Sequence, residues 1–174
     1  MEFSKVMKIR QSVRGFKNEQ ISREDLEAVL DAAYLSPVAM GKFEDTKLLV
    51  VQDAEKLSRI NEEAGKAFGD EKAKPTYGAP TVIYVLQKKD GEDILIGMNA
   101  AVIANNMLLA AYERGLGGCY LMGVSQMLYK NDEVNSILGV PEGYRTCAAA
   151  AIGIPAAELS ERSVDRSKIE TLYA

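Results

Sequence analysis

The sequence contains no histidine and no tryptophan, and only two of its 174 residues are cysteine. Without histidine, the chain can form neither a Ser-His nor a Cys-His catalytic pair, and it lacks the commonest metal ligand of proteins. Cys119 and Cys147 lie in apolar segments outside any CxxC pair, which favours buried free thiols over metal or redox chemistry. We therefore expect any chemistry of this chain to come from a bound cofactor.

The chain also carries no excess of positively charged residues. The formal net charge is -4 and the isoelectric point about 5.1, whereas a general nucleic-acid binder needs a basic face. Polar residues interrupt the apolar stretches before these reach the roughly 20 residues that span a bilayer; they are Asn99, Asn105, Asn106 and Gln126. The first residues also lack the pattern of a secretory signal. We expect a cytoplasmic protein that binds neither nucleic acid nor membrane.

The remaining composition is that of an ordinary globular domain. Hydrophobic residues make up 47% of the chain and charged residues 26%, which is typical of a chain that buries a core. The sequence contains no internal repeat, low-complexity segment or linker. The prediction is a single domain over residues 1–174.

Apolar spacing and capping residues predict a mixture of helices and strands. Helices are expected over residues 3–10, 22–34, 54–67, 94–114 and 132–138, with Ser22 and Asp53 as N-caps. Strands are expected over residues 48–51, 81–86, 119–122 and 147–154, with 81–86 central in the sheet. The alanine-rich helix over 94–114 is predicted to be buried. Because the connections are too irregular for βαβ units, we expect an α+β sandwich.

Two arginines and a serine lie close together in the segment Arg10–Phe16, of sequence RQSVRGF. Guanidinium groups bind phosphate through paired hydrogen bonds, and a serine hydroxyl with nearby backbone N–H groups can complete such a site. The pattern therefore indicates an anion site. On spacing alone, the alternative interpretation is a solvated pair of arginines at the end of a helix, favoured by the helix dipole.

This segment resembles the arginine-x-serine-x-arginine motif near the start of nitroreductase-family proteins, whose residues hold the phosphate and ribityl chain of FMN. The resemblance implies that Arg10, Gln11, Ser12 and Arg14 bind FMN, with the two arginines clamping its phosphate. It also implies the family's fold, in which helices flank a central, mostly antiparallel sheet and two chains form an interwoven homodimer.

Later segments resemble the family in the same order. Residues 36–39 are similar to its alanine-proline-serine loop, which implies flavin contacts from Pro37, Val38 and Ala39; the alternative is simple helix termination by proline. The alanine-rich helix, the turn over 115–118 and the segments 138–141 and 152–155 follow in order. The resemblance further implies that main-chain groups of Leu121, Met122 and Gly123 line the flavin ring.

The C-terminal tail carries an arginine similar to one that returns to the FMN phosphate in this family. Arg162 precedes Ser163–Asp165 and is the first candidate, while Arg166 is the competing choice. The alternative interpretation for both is a surface tail.

One loop departs from the family pattern. Many members carry an asparagine and a glutamine followed by proline-tryptophan after the second helix, whereas this chain has the sequence MGKFED at residues 40–45. Some flavin contacts must therefore differ, and the family's nitroaromatic specificity is in doubt. Lys42 either faces the flavin or substrate or is a surface lysine.

The resemblance implies an FMN-dependent oxidoreductase that passes electrons from NADH or NADPH to a small organic acceptor, such as a nitroaromatic or a quinone, by a ping-pong mechanism. In such an enzyme the flavin carries the redox chemistry, which fits a chain without histidine. Two alternatives are a flavin-binding or regulatory module without efficient turnover and a structural dimer that binds no flavin.

Overall fold

The computed structural model describes residues 1–173 as six α-helices and four strands. The helices are α1 (Phe3–Ile9), α2 (Arg23–Tyr34), α3 (Ala54–Phe68), α4 (Asp93–Glu113), α5 (Met122–Tyr129) and α6 (Asp132–Leu138). The strands are β1 (Thr46–Val51), β2 (Thr81–Lys88), β3 (Gly117–Tyr120) and β4 (Tyr144–Gly153). Short 3-10 turns cover Ala39–Gly41, Phe43–Asp45 and Arg166–Lys168.

The strands form one antiparallel sheet in the order β1-β2-β4-β3. The predicted central position of β2 is confirmed, because β2 pairs with β1 on one side and with β4 on the other. Residues 81–87 of β2 are all buried, as expected for a strand covered on both faces.

Helices cover both faces of the sheet. Successive side chains of a strand point to opposite faces, so Tyr84 packs with α3, α5 and α6, while Ile83 and Val85 pack with α2 and α4. The two apolar cores lie on either side of the sheet. This arrangement is the predicted α+β sandwich.

The local signals that set helix ends are confirmed. The Ser22 side chain accepts a hydrogen bond from the Asp25 N–H, and Asp53 accepts one from the Lys56 N–H. Gly69 follows α3 with a φ of 72°, a left-handed conformation that glycine adopts without steric cost.

The expectation that no stretch is long enough to span a membrane was wrong. Helix α4 has 21 residues and, even with its asparagines, a mean hydropathy of 1.7 over its most apolar window. In this fold α4 packs against α2 and against β2, β3 and β4. Its alanines at 100, 104 and 111 are completely buried, as predicted for a central core helix.

The strand predicted over residues 119–122 is shorter, and a helix follows it that the sequence did not predict. Strand β3 ends at Tyr120 and α5 begins at Met122. A continuous apolar run does not distinguish a short buried strand from a short buried helix by periodicity. The tertiary contacts of α5 with β4 and α6 therefore decide its conformation.

Candidate cofactor site

The segment that begins at Arg10 leaves α1 and runs along the edge of the sheet. Ser12 forms a parallel bridge with Gly118 of β3, and Phe16 forms an antiparallel bridge with Pro155. The Val13 N–H donates to the Gly118 carbonyl at 3.0 Å. These contacts fix the backbone between the two arginines of the predicted anion site.

A buried tyrosine of α4 holds the same segment from behind. The Tyr112 hydroxyl contacts the carbonyl oxygens of Gln11 and Gly118 and accepts a hydrogen bond from the Gly118 N–H. Burial raises the pKa of Tyr112, which keeps the hydroxyl protonated. This role of Tyr112 could not be predicted from the sequence, because no neighbouring residue distinguishes Tyr112 from the other tyrosines.

Ser12 pairs with Gly118, the residue before Cys119, and the charges of Arg10 and Arg14 act on the Cys119 thiol, which is 3% exposed. Burial raises the pKa of Cys119, while the nearby Arg14, Ser12 and Arg10 side chains act in the opposite direction. Among residues 1–173, neither of these two arginines forms an ion pair with a carboxylate. The structure thus leaves both guanidinium groups of this segment without an acidic partner among the described residues.

Beside Arg14 lies a cavity of about 220 Å³ that reaches the start of α5. Arg14, Tyr77 and Phe68 line it together with residues 119–124, and the Arg14 guanidinium lies 5.8 Å from the Tyr77 ring centroid. Phe68 is the last residue of α3 and Tyr77 lies in the loop after it, so both are far from Arg14 in sequence and were not predicted as site residues.

The first turn of α5 presents unpaired backbone donors to this cavity. The first N–H groups of an α-helix have no partner within the helix and carry partial positive charge, and no side chain caps α5. The Leu121 N–H is bound to the Ala149 carbonyl at 2.8 Å and the Ser125 N–H to the Leu121 carbonyl at 2.9 Å, so the donors of Met122, Gly123 and Val124 are the available ones. A Cβ on Gly123 would lie 3.1 Å from Phe68 Cζ and would narrow the cavity.

These features fit the chemistry of FMN. Two unneutralised guanidinium groups and a hydroxyl suit a phosphate, and the positive end of a helix suits the electron-rich edge of a flavin ring. The structure brings the predicted residue Arg14 together with the predicted ring contacts at 121–123 in one cavity, while Arg10 and Ser12 precede Arg14 along the same segment.

The predicted contacts Pro37, Val38 and Ala39 lie elsewhere on the same chain. The Ala39 N–H donates to Asn99 Oδ1 at 3.0 Å, near the start of α4, whereas Tyr112 contacts Gln11 near its end. Asn99 and Tyr112 are separated along the helix by about 20 Å, because each residue advances the axis by about 1.5 Å. One chain therefore does not bring the two predicted groups together.

Arg162 lies at the end of α1, just before the arginine segment. Its side chain donates to the carbonyls of Lys8 and Met7 at 3.3 and 3.2 Å, and its N–H donates to the Lys8 carbonyl at 3.0 Å. It therefore satisfies carbonyl groups at the C-terminal end of α1. Arg166 lies in an exposed 3-10 turn of the tail.

The altered loop over residues 40–45 lies beside the start of α4 and the end of β2, where these elements line a cavity of about 200 Å³. Met40 has a left-handed φ of 56° and is 75% exposed. Lys42 is exposed, and within the described part of the chain it forms no ion pair. The loop is thus open to solvent in a single chain.

Comparison with known proteins assigns this chain to a family. The family model for the nitroreductase family matches residues 7–154. A protein from Archaeoglobus fulgidus, provisionally named NADH dehydrogenase/NAD(P)H nitroreductase, is 31% identical over 156 residues, which cover 88% of this chain and 86% of that protein. The chain belongs to the nitroreductase family, as its sequence predicted, and the family name places it among the oxidoreductases.

Solved structures agree with this assignment. A Bacteroides fragilis nitroreductase with bound FMN superimposes with a TM-score of 0.85 at 28% identity, covering 99% of this chain and all of that one. A nitroreductase with bound FMN from Desulfitobacterium hafniense has the same fold, with a TM-score of 0.82 at 24% identity over 99% of this chain and 100% of that one.

Proposed function

We propose that this protein is an FMN-dependent oxidoreductase that transfers electrons from NADH or NADPH to a small organic acceptor such as a nitroaromatic or a quinone. The observation that carries the proposal is the position of Arg14 in the cavity beside the uncapped start of α5, with Arg10 and Ser12 close to it along the chain. The FMN bound to the similar B. fragilis protein supports the same cofactor here.

Each part of the site has a distinct role in this proposal. Arg10 and Arg14 bind the phosphate of FMN through charge-assisted hydrogen bonds, with Ser12 and Gln11 completing the polar shell and Arg162 closing it from the tail. When bound, FMN supplies the acceptance and release of electrons. The N–H groups at the start of α5 hold positive potential at the ring, where they stabilise negative charge that develops on reduction.

A second copy of the chain completes the site in this proposal. Residues 37–39 lie too far from the arginines of their own chain, so we assign their flavin contacts to the partner in a homodimer. Helix α4 exposes Ile94, Met98 and Val102 along one face, with exposures of 64%, 59% and 40%. A row of exposed apolar side chains is typical of an interface.

The homodimer is tested with the variant Met98→Lys, which places a charge in the middle of this apolar face. We expect it to convert the dimer to a monomer in sedimentation equilibrium and to weaken FMN binding at the same time. Ser58→Lys on the exposed face of α3, which adds the same single charge, is the control. A Met98→Lys protein that remains dimeric and retains FMN would contradict this interface.

The oxidoreductase is tested by absorbance spectroscopy of the FMN-loaded protein without oxygen. We expect NADH or NADPH to bleach the long-wavelength flavin band and a quinone or nitroaromatic added afterwards to restore it, because donor and acceptor use the site in turn. Protein that fails to bind FMN would refute the cofactor assignment, and bound FMN that no nicotinamide reduces would refute the enzymatic one.

Bound FMN that no nicotinamide reduces would instead indicate the alternative function, a flavin-binding or regulatory module without efficient turnover. The altered loop at residues 40–45 favours it, because this loop lacks the family's usual side chains.

We also propose that residues 1–174 act as one domain in the cytoplasm, with neither nucleic acid nor membrane as a partner.

A further inference from the structure

The Tyr112 hydroxyl is the polar centre of an otherwise apolar cluster. Tyr112 is completely buried and packs with Val6, Ile9 and Val13. Its hydroxyl lies 2.9 Å from the Gly118 carbonyl and 3.0 Å from the Gly118 N–H, and it also contacts the Gln11 carbonyl. All three partners are backbone atoms, so Tyr112 fixes the relative position of two separate main-chain segments, one at Gln11 and one at Gly118.

These backbone atoms flank the middle of the predicted phosphate site. Gln11 directly precedes Ser12, and Gly118 is the residue that pairs with Ser12 across the sheet edge. Arg10 and Arg14 lie on either side of this point. One hydroxyl therefore fixes the backbone from which the serine and both arginines project, although it is too deeply buried to touch a ligand itself.

We infer that Tyr112 is a positioning residue for the phosphate of the cofactor, an inference that rests on the proposed binding of FMN. Anion affinity depends on donors that are already in place before the ligand binds, since ordering them afterwards costs conformational entropy. Without the hydroxyl, the Gln11 carbonyl loses a buried donor and the Gly118 N–H loses a buried acceptor.

The fold itself has other contacts that survive the loss of this hydroxyl. The Arg10 N–H still donates to the Val6 carbonyl at 2.9 Å and the Val13 N–H to the Gly118 carbonyl at 3.0 Å. Phenylalanine keeps the ring and its packing. We therefore expect Tyr112→Phe to fold with a looser segment between these two anchors, where Gln11 and Ser12 lie.

A second buried tyrosine provides the matched control. Tyr84 is also completely buried, but its hydroxyl has no hydrogen-bond partner among the described residues. It lies in the core formed with α3, α5 and α6. Tyr84→Phe removes the same atom from an equally buried ring without touching the predicted phosphate site.

The test compares FMN binding by the wild-type protein, Tyr112→Phe and Tyr84→Phe, through the quenching of flavin fluorescence. We expect Tyr112→Phe to raise the dissociation constant of FMN about 5- to 20-fold, the effect of losing one or two buried hydrogen bonds, and Tyr84→Phe to leave it unchanged. The ³¹P resonance of bound FMN is recorded with each protein at saturation. It should move in Tyr112→Phe alone, because a general loss of stability would not alter the phosphate environment.

The outcomes separate the inference from the function on which it rests. Wild-type protein that binds no FMN refutes the proposed function. Wild-type protein that binds FMN, with unchanged affinity and ³¹P resonance in Tyr112→Phe, overturns only the positioning role. A Tyr112→Phe chain that does not fold, or that binds FMN more weakly with an unchanged ³¹P resonance, would also overturn it, because Tyr112 would then serve stability alone.

Discussion

Removing the hydroxyl of Tyr84 should make this protein more stable. Tyr84 lies on the central strand β2, and its hydroxyl is buried without a hydrogen-bond partner among the residues that the structure describes. Burial raises the pKa of Tyr84, so the group remains a neutral phenol. An unpaired hydroxyl in an apolar core costs about 1–3 kcal/mol relative to water. Tyr84→Phe removes this cost.

The expected gain in the free energy of unfolding is about 0.5–2 kcal/mol, because the small void left by the oxygen offsets part of the benefit. For a chain of this size, each kcal/mol raises the melting temperature by about 2–4 °C. Tyr112→Phe should have the opposite sign and cost about 1–3 kcal/mol, since it leaves the buried Gly118 N–H without its acceptor.

Urea unfolding of the apo-proteins at neutral pH, followed by circular dichroism, measures both changes. The two variants should have the m-value of the wild type, so that a shift in midpoint reports stability alone. A Tyr84→Phe midpoint lowered as far as that of Tyr112→Phe would refute the reasoning. It would mean that the Tyr84 hydroxyl has a partner in solution, such as a buried water molecule.

Three further predictions test the site, an ion pair and a close approach of main chains. Arg14→Ala should weaken FMN binding by about 1.5–3 kcal/mol in fluorescence titration, the range for losing a charge-assisted hydrogen bond. The pKa of Asp25 lies below its usual 3.8 because Ser22 and Arg114 bind its carboxylate. The stabilisation from the ionised Asp25 carboxylate is thus complete above pH 3.8 and is lost as the pH falls through the lower pKa of the folded protein. The difference in the free energy of unfolding between wild type and Asp25→Asn should therefore disappear in acid. Gly118→Ala should destabilise the fold by about 1–3 kcal/mol in urea, because its Cβ would lie 2.5 Å from a leucine side chain of α4 and 3.2 Å from a β4 carbonyl.

Matched variants serve as controls for these predictions. Arg59→Ala removes an exposed arginine of α3 and should not change FMN affinity; equal losses in both arginine variants would show only an effect of net charge. Gly15→Ala places its Cβ at an ordinary 3.9 Å from Ala156 Cβ, so it should be tolerated where Gly118→Ala is not. If the difference in the free energy of unfolding between wild type and Asp25→Asn persists unchanged at low pH, this result would argue against the ion pair of Asp25 with Arg114.

The parts of the fold that the sequence predicted are those governed by neighbouring residues. Ser22 and Asp53 cap helices through side chains that reach backbone N–H groups three positions away, so their roles follow from local chemistry. The boundary between β3 and α5 was not predictable, because an apolar run such as 119–124 suits either conformation until the contacts with β4 and α6 select one.

The candidate site shows the same division. Arg10, Ser12 and Arg14 were identifiable because the residues that create the positive charge are close together in sequence. Tyr112 was not, since it acts on the backbone of Gln11, which lies 101 positions earlier, and backbone atoms leave no signature in the sequence. The separation of residues 37–39 from this site likewise depends on which end of α4 each segment contacts.

The position of the arginine segment along the chain has a consequence for biosynthesis. Arg10–Phe16 leaves the ribosome early, but its partners Tyr112, Gly118 and Pro155 are translated much later. Loops this long close slowly, and their contacts form only when both ends are present. The nascent chain therefore has to keep two arginines and an unpaired sheet-edge segment exposed until most of the protein has been made. Loading of the proposed cofactor FMN should accordingly follow translation, and a supply of FMN should act on the last docking step of folding rather than on the first.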